Sequence, residues 1–279
     1  MSELRSIALT SGGISLSALE RPGRGTPLVM LHGVGGNAFA FKPLIDRLPG
    51  RHVIAIDMPM HGLSGAVPSL ELADLARTIF DAVDAYLGRP AIWCGHSWGG
   101  KVAAIIAAQN PRAIESLILL DPSPAGEIAI PPELAVDMTF GVELGPWDSI
   151  EAASDAVRHL PQYAHWNDDR EQAFRRGLVR GVKGEWRAVA SREALTAICA
   201  ALGKDHSMLL RTIDCPTLLV VADQSLGWQE VTNIALLPRA ACVVVASNHW
   251  LMFDNPDDLA RAIGKWIEPE PEALAVPRP

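Results

Sequence analysis

Short apolar runs recur along the chain, and longer segments with helical spacing lie between them. The runs span residues 28–31, 52–57, 91–94, 117–120, 216–221 and 242–245. Each is too short for a helix, and the lack of polar alternation is typical of a strand buried on both faces of a sheet. Strands that alternate with helices predict an α/β fold with a mostly parallel central sheet flanked by helices.

The segments between these runs support the same architecture. Residues 7–19 alternate in polarity around a Gly-Gly turn, which predicts an antiparallel hairpin near the start of the chain. Residues 70–87 carry leucine, isoleucine and valine at helical spacing, as an amphipathic helix does. Further helices are predicted over 39–48, 102–108 and 256–266.

The character of the sequence changes between Ala125 and His206. This segment has no strand-like run, and its helical stretches are broken by glycine and proline. The predicted helices span 150–160, 169–179 and 191–202. Aromatic residues are spread through it, at Phe140, Trp147, Tyr163, Trp166, Phe174 and Trp186. We interpret it as a helical insertion over the sheet, whose aromatic side chains form a small core and in part line a pocket.

The predicted domain boundaries follow from this change. Residues 1–122 and 209–267 form the sheet-containing core, and residues 123–208 form a helical cap. Residues 268–279 are rich in proline, glutamate and alanine, which predicts a disordered tail. A chain of 279 residues is long enough for one large α/β domain with such an insertion.

Composition and charge indicate which classes of partner the protein can bind. Hydrophobic residues make up 49% of the chain and charged residues 20%, which is enough apolar material for a sizeable core. The formal net charge is -8 and no basic cluster is present, so we exclude a nucleic-acid partner. No apolar run approaches the length of a membrane span. The chain starts without the basic-then-apolar layout of a signal peptide, so we expect a cytoplasmic protein.

The four cysteines predict neither disulfides nor a metal site. Cys94, Cys199, Cys215 and Cys242 are scattered, without C-x-x-C spacing and without clustering beside histidine. Three of them lie in or beside apolar runs, as buried free thiols do. We therefore expect no bound metal, and the oligomeric state stays open.

The most informative motif is G-x-S-x-G at residues 95–99, which reads Gly-His-Ser-Trp-Gly. An apolar strand precedes it and an alanine-rich, helix-forming segment follows it. Ser97 is therefore predicted at the apex of a strand–turn–helix unit, with the free N–H groups of the helix N-terminus beneath it. This arrangement is a nucleophile elbow and makes Ser97 the candidate nucleophile. A plain glycine-rich turn around an ordinary serine is the alternative.

A second glycine-rich turn, at residues 32–37, follows the strand at 28–31. Backbone N–H groups left unpaired in such a turn can bind a developing oxyanion, although a plain strand-to-helix connection has the same composition. Asp57 and His61, in the loop after the next strand, invite a catalytic interpretation. Hydrogen bonding within their own loop is the simpler one.

Four motifs occur in a fixed order along the chain. They are Leu-His-Gly-x-Gly-Gly-Asn at 31–37, Asp-Met-Pro-Met-His-Gly-Leu-Ser at 57–64, Gly-His-Ser-Trp-Gly-Gly at 95–100 and Asn-His-Trp-Leu at 248–251. Together they resemble the α/β-hydrolase fold superfamily, and the resemblance covers residues 7–267. It implies the fold of that superfamily with a helical cap, and it says much less about the substrate.

By matching position, the resemblance implies a role for four residues. Ser97 would be the nucleophile and His249 the general base, and the backbone N–H groups of Val34 and Trp98 would form the oxyanion hole. The chemistry is consistent, because a serine hydroxyl is a poor nucleophile until an imidazole takes its proton. Of the eight histidines, His249 follows a late strand and can reach Ser97, whereas His96 should point elsewhere. Such chemistry needs neither a metal nor an organic cofactor.

The acid that orients His249 is where the sequence departs from the family pattern. In most of the superfamily it lies a few residues after the strand that ends here at Val221, but this chain has Ser225 there, and Asp223 lies closer to the strand. In other members the acid follows the preceding strand, and Asp121 occupies that place. Asp121 should emerge at the C-terminal edge of the sheet, beside the strand of the nucleophile. We favour Asp121, while Asp223 and a structural Asp-Pro turn stay open.

The expected function is that of a serine hydrolase that cleaves a carboxylic ester or related acyl bond of a small, partly apolar molecule. A serine at position 97, where an aspartate would otherwise stand, argues against the dehalogenase and epoxide-hydrolase branches of the superfamily. On the same triad, related proteins cleave carbon–carbon, amide or lactone bonds, so these reactions are alternatives. A third hypothesis is a non-catalytic protein that binds a small molecule on the same fold.

Overall fold

A single sheet forms the centre of the computed structural model, which describes residues 3–140, 144–160, 163, 165–225 and 234–268. Its strands are β1 (Arg5–Ser11), β2 (Ile14–Arg21), β3 (Arg24–Leu31), β4 (Arg51–Ile56), β5 (Ala91–His96), β6 (Ile114–Leu120), β9 (Thr217–Ala222) and β10 (Ala240–Val245). Their order across the sheet is β1-β2-β4-β3-β5-β6-β9-β10. Outside it, β7 (Leu178–Arg180) pairs with β8 (Trp186–Ala188).

Most strands of the sheet are parallel. From β4 through β3, β5, β6 and β9 to β10 every neighbouring pair is parallel. β1 and β2 form an antiparallel hairpin, and β2 pairs antiparallel with β4. The α/β fold with a mostly parallel sheet is therefore confirmed, and so is the predicted hairpin. Because parallel strands end at the same edge, the loops after β3, β5, β6, β9 and β10 meet at one edge of the sheet.

The helices lie between and after these strands. They are α1 (Lys42–Asp46), α2 (Leu72–Leu87), α3 (Trp98–Gln109), α4 (Pro132–Phe140), α5 (Ile150–Val157), α6 (Asp168–Arg176), α7 (Arg192–Leu202), α8 (Ser207–Leu210), α9 (Leu251–Asp254) and α10 (Pro256–Ile267). The predicted helix over 39–48 is split into a 3-10 helix, Ala38–Phe41, and α1. Pro43 explains the split, because it has no N–H for the Phe39 carbonyl, which accepts from Lys42 instead.

The apolar side chains of the parallel strands divide between the two faces of the sheet. In β3, Val29 and Leu31 pack with α2 and α3, whereas Leu28 and Met30 pack with α1 and α10. This alternation follows from the two-residue period of a strand. All four side chains are fully buried, so helices cover both faces, as the continuous apolar runs predict.

The segment between β6 and β9 holds α4 to α8 together with the β7–β8 hairpin. The hairpin corrects the expectation that this segment lacks strands. Each of its strands has three residues, too few to show a period of two, and Gly184 turns the chain between them with φ 91°. The helix predicted over 169–179 also ends earlier, at Arg176, where the Gly177 N–H donates to the Phe174 carbonyl at 2.8 Å and no longer follows the helical i→i−4 pattern.

Two expectations about domain organisation stay predictions. The structure gives no independent test of the division into a core and a cap at residues 123–208. Residues 269–279 of the expected tail lie outside the described residues. In the part of the chain that the structure does describe, no helix is both long enough and apolar enough to cross a membrane.

Candidate active site

Ser97 lies in the turn between β5 and α3, in a strained backbone conformation. Its φ is 53° and its ψ is -117°, a region that a residue with a side chain adopts only under constraint. Its N–H donates to the Leu120 carbonyl at 3.0 Å, and its carbonyl accepts from the N–H groups of Lys101 and Ser123, each at 3.2 Å. These bonds to the neighbouring strand, its loop and α3 hold the turn at the C-terminal edge of the sheet.

The two glycines beside Ser97 lie where no side chain fits. A Cβ on Gly95 would come within 2.2 Å of the Gly99 carbonyl oxygen, and a Cβ on Gly99 within 2.2 Å of the Leu31 carbonyl oxygen. The start of α3 therefore packs against the end of β3 through backbone atoms alone. This close approach brings the glycine turn after β3 (residues 32–37) next to the serine.

Replacing Gly99 with alanine is expected to lower the free energy of unfolding by about 3 kcal/mol, because the added methyl group overlaps the backbone of β3. Gly264 in α10 is the matched control, since a Cβ there meets no atom within 4 Å. Gly264→Ala should raise the free energy of unfolding by about 0.5 kcal/mol through helix propensity. Urea unfolding measures both changes. Equal stability of Gly99→Ala and the wild type would contradict this account of the elbow.

His249 and Asp121 meet at the same edge, on the loops after β10 and β6. His249 Nδ1 lies 2.6 Å from Asp121 Oδ2, and the Asp121 side chain is fully buried. The other carboxylate oxygen, Oδ1, accepts from the Ala222 N–H at 3.2 Å. Asp121 also has a positive φ of 39°, so its backbone is constrained as that of Ser97 is. An imidazole that donates from Nδ1 to a carboxylate keeps Nε2 available as a proton acceptor.

Asp223, the other candidate acid, binds a backbone N–H group. It is exposed at the end of β9, and its Oδ1 accepts from the Ser247 N–H at 2.9 Å. That bond ties the loop after β9 to the loop after β10. The carboxylate in contact with the His249 imidazole is therefore that of Asp121.

His96 also belongs to this group, although the sequence suggests that it points elsewhere. It is fully buried, its Nε2–H donates to the His249 carbonyl at 2.7 Å, and its ring centroid lies 4.7 Å from that of His249. Burial holds the pKa of His96 well below its ordinary value, so the ring stays neutral. His96, the residue before Ser97 in the chain, thus binds the backbone of His249. No local signal reveals this contact, because it joins residues 153 positions apart.

The glycine turn lies against Ser97 and carries one of the expected oxyanion donors. A Cβ on Gly33 would lie 3.1 Å from Ser97 Cβ, so only glycine allows this approach. Among the hydrogen bonds of the described residues, none uses the N–H of Val34. Trp98 is the first residue of α3, where an N–H has no acceptor within the helix. Both donors that the resemblance implies are therefore open at positions next to the serine.

Two buried histidines hold the glycine turn in place. His61 Nε2 accepts from the Gly35 N–H at 3.0 Å, and His61 Nδ1 donates to the Pro59 carbonyl at 3.0 Å. His32 Nε2 accepts from the Met58 N–H at 2.9 Å. These bonds need neutral rings, and burial lowers the pKa of His61 to about 4 and that of His32 well below its ordinary value.

Asp57 has the structural role that the sequence suggests for it. Its Oδ1 accepts from the Ala38 N–H at 2.8 Å and its Oδ2 from the Leu63 N–H at 3.0 Å. It therefore joins the loop after β4 to the 3-10 helix that follows the glycine turn. Asp57 and His61 support the backbone around Ser97 and make no contact of the kind that links His249 and Asp121.

A cavity whose enclosed and solvent-open space together amount to about 830 Å³ lies beside the glycine turn and Trp250, and neither Ser97 nor His249 is among the described residues that line it. Gly35 and Gly36 of the glycine turn form one wall, and Trp250, next to His249, forms another. Four of the six aromatic residues noted in the insertion also line it, namely Phe140, Trp147, Tyr163 and Phe174. The walls are therefore largely apolar, and the cavity extends from the glycine turn and Trp250 towards the insertion.

No group of three or more metal-ligating side chains occurs within the described ranges. Among the described residues none of the four cysteines forms a disulfide; Cys94 is buried, whereas Cys199, Cys215 and Cys242 are half-buried.

Comparison with protein families gives a match over most of the chain. A sequence model described as the alpha/beta hydrolase family matches residues 28–262. The match includes the G-x-S-x-G motif, the glycine turn, Asp121 and His249.

Known relatives and solved structures agree with this match. The 2-(acetamidomethylene)succinate hydrolase of Mesorhizobium japonicum is 26% identical over 267 residues, which cover 92% of this chain and 93% of the relative. Esterase YbfF of Escherichia coli is 26% identical over 258 residues, which cover 87% and 93%. The crystal structure of E-2-(acetamidomethylene)succinate hydrolase has a TM-score of 0.83 at 25% identity and covers 95% of this chain and 99% of that one. These similarities confirm the fold, and the relatives are named as hydrolases and esterases.

Proposed function

The chain belongs to the alpha/beta hydrolase family, and we propose that it is a serine hydrolase that cleaves a carboxylic ester or related acyl bond of a small, partly apolar molecule. The observation that carries this proposal is the 2.6 Å hydrogen bond between His249 and the buried Asp121, next to a serine on a strained turn. A buried carboxylate that holds an imidazole in one tautomer is what a serine nucleophile needs in order to lose its proton.

The first half of the reaction forms an acyl-enzyme. Ser97 Oγ attacks the carbonyl carbon of the substrate while His249 Nε2 takes the hydroxyl proton. The N–H groups of Val34 and Trp98 donate to the developing oxyanion. When the tetrahedral intermediate collapses, His249 gives the proton to the leaving alcohol, and the acyl group stays on Ser97.

The second half releases the acid. His249 Nε2 takes a proton from water, whose oxygen attacks the acyl carbon. The second tetrahedral intermediate collapses, the proton returns to Ser97 Oγ, and the carboxylic acid leaves. The Asp121 carboxylate accepts from His249 Nδ1–H and stabilises the imidazolium that forms in each half. Residues 123–208 act as the cap that covers the acyl-binding cavity.

Amide hydrolysis is the second candidate. One relative is named for hydrolysis of 2-(acetamidomethylene)succinate, a compound with an acetamido group, and its structure covers nearly the whole chain. Another is named an esterase. Esters and amides are both hydrolysed through an acyl-enzyme. Amide hydrolysis depends more strongly on His249, because the leaving nitrogen must be protonated before it can depart.

A panel of three substrate classes tests the proposal. We expect turnover of p-nitrophenyl acetate and butyrate, slower turnover of the matched p-nitroanilides, and none of a vinylogous diketone. Release of nitrophenol or nitroaniline and loss of diketone absorbance measure the three rates. Preference for the anilides would favour the amide candidate. Turnover of the diketone alone, or of no compound by folded protein, would contradict the proposal.

A further inference from the structure

The cavity beside the glycine turn and Trp250 has a cationic side chain in its apolar wall. Arg170, on α6, lines the cavity, and its side chain is 3% exposed. Of the described residues that line it, Arg170 is the one Lys, Arg, Asp or Glu side chain. His61 is another lining residue, but its pKa of about 4 leaves it uncharged at neutral pH. The guanidinium is therefore the one charged group in the described wall of the cavity, and it lies in a region of low dielectric.

Aromatic rings and a buried carboxylate hold the Arg170 guanidinium. Its central carbon lies 4.9 Å from the ring centroid of Phe253 and 5.7 Å from those of Tyr163 and Trp250. Asp254 Oδ1 lies 3.8 Å from Arg170 Nη2. The Asp254 side chain is 1% exposed and does not line the cavity. Cation–π contacts and this ion pair position the guanidinium, which stays charged even when buried.

Arg170 is close to His249, the candidate general base. Trp250 directly follows His249, and its ring centroid lies 6.2 Å from that of His249 and 5.7 Å from the guanidinium carbon. One indole ring therefore separates the cation from the candidate general base. A substrate whose carbonyl lies at Ser97 could extend a short chain along the aromatic wall to Arg170.

We propose that the substrate carries a carboxylate, and that Arg170 is the specificity-determining residue that binds it. This inference rests on the proposed function and names its substrate class as monoesters or monoacyl derivatives of short dicarboxylic acids. An apolar wall would exclude an unpaired anion, because burying one without a partner costs several kcal/mol. A guanidinium in that wall accepts a carboxylate through two parallel N–H···O bonds, and the aromatic side chains contact the intervening methylene groups.

A purely structural role for Arg170 makes a different prediction. Through Asp254, Arg170 also joins α6 to α9. If that were its whole function, substitutions would change stability and leave the choice between charged and neutral substrates as it is. The ratio of kcat/KM for two substrates of the same shape therefore separates the two roles.

The test uses a matched pair of chromogenic esters, the mono-p-nitrophenyl ester of adipic acid and that of adipamic acid, in which a neutral amide replaces the carboxylate. We expect the wild type to prefer the acid by about 10-fold or more in kcat/KM. In Arg170→Met this ratio should fall to about one, with a higher KM for the acid. Arg170→Lys should keep part of the preference, because it keeps the charge without the bidentate geometry. Arg175→Met is the matched control, since Arg175 is an exposed arginine on α6 outside the cavity wall, and it should keep the wild-type ratio.

Stability is controlled separately. Arg170→Met removes the arginine partner of the buried Asp254, which keeps the contact of its Oδ1 with His165 Nδ1 at 3.2 Å, so the double variant Arg170→Met/Asp254→Asn is made as well to remove both charges. If the wild type hydrolyses both esters equally, or if either Arg170→Met protein keeps the wild-type ratio, the carboxylate site is wrong and the proposed hydrolase function stands. If folded wild type hydrolyses neither ester nor the simple acetates, the proposed function itself is wrong.

Discussion

Ser97→Ala is expected to lower kcat for ester hydrolysis by about 10⁴-fold or more. The acyl-enzyme route needs an oxygen nucleophile at this position, and the alanine side chain has none. Because the backbone of the turn is held by main-chain bonds to Leu120, Lys101 and Ser123, removing one hydroxyl should change the free energy of unfolding by less than about 1 kcal/mol. Steady-state rates and urea unfolding measure the two quantities.

Ser123→Ala is a suitable control for this experiment. Ser123 also follows a strand and bonds to Ser97 through its backbone N–H, which the substitution keeps. Its kcat should stay within about threefold of the wild type. A Ser97→Ala protein that kept a tenth or more of the wild-type kcat would contradict a nucleophilic serine at the elbow.

Asp121→Asn is expected to lower kcat by about 10⁴-fold, whereas Asp223→Asn should lower it by less than about threefold. An asparagine amide at position 121 would donate to His249 Nδ1, which puts the imidazole proton on Nε2. In that tautomer the imidazole cannot accept the proton of Ser97. At position 223, the asparagine oxygen can still accept from the Ser247 N–H, as the carboxylate now does.

The pair of variants decides between the two aspartates. Rates on one p-nitrophenyl ester, measured across pH on folded protein, give the comparison. Loss of activity in Asp223→Asn with most activity kept in Asp121→Asn would reverse the assignment. Nearly full activity in both variants would mean that neither carboxylate orients the base.

The fold was predictable wherever apolar residues continue without interruption. Every buried residue of β3 is apolar, and so is every residue of β9 after the buried Thr217, and these patterns predict both strands. β6 was predicted only over 117–120, although it begins at Ile114. The pattern is broken by Ser116, whose hydroxyl bonds to the Pro216 carbonyl and accepts from the Trp266 indole. A polar residue with such partners is tolerated in a buried strand, and those partners are distant in the sequence.

The candidate site was predictable only where it depends on neighbouring residues in the sequence. Ser97 is marked by local spacing, because the glycines that the elbow requires are its near neighbours. The acid that orients His249 is not marked by local spacing, because the choice between Asp121 and Asp223 depends on how the loops after β6 and β9 turn. Asp121 reaches His249 with a φ of 39°, which no sequence pattern indicates. The contact between His96 and the His249 carbonyl depends on the same loop geometry.

Covalent labelling of the intact protein tests the central claim most directly. We expect a fluorophosphonate to add one phosphonyl group to the wild type, and peptide mass spectrometry to find it on Ser97. Labelling should be absent in Ser97→Ala and slow in Asp121→Asn, because the phosphorus centre is attacked by the same activated hydroxyl. A folded wild-type protein that takes up no label, or that carries it on another residue, would contradict the account.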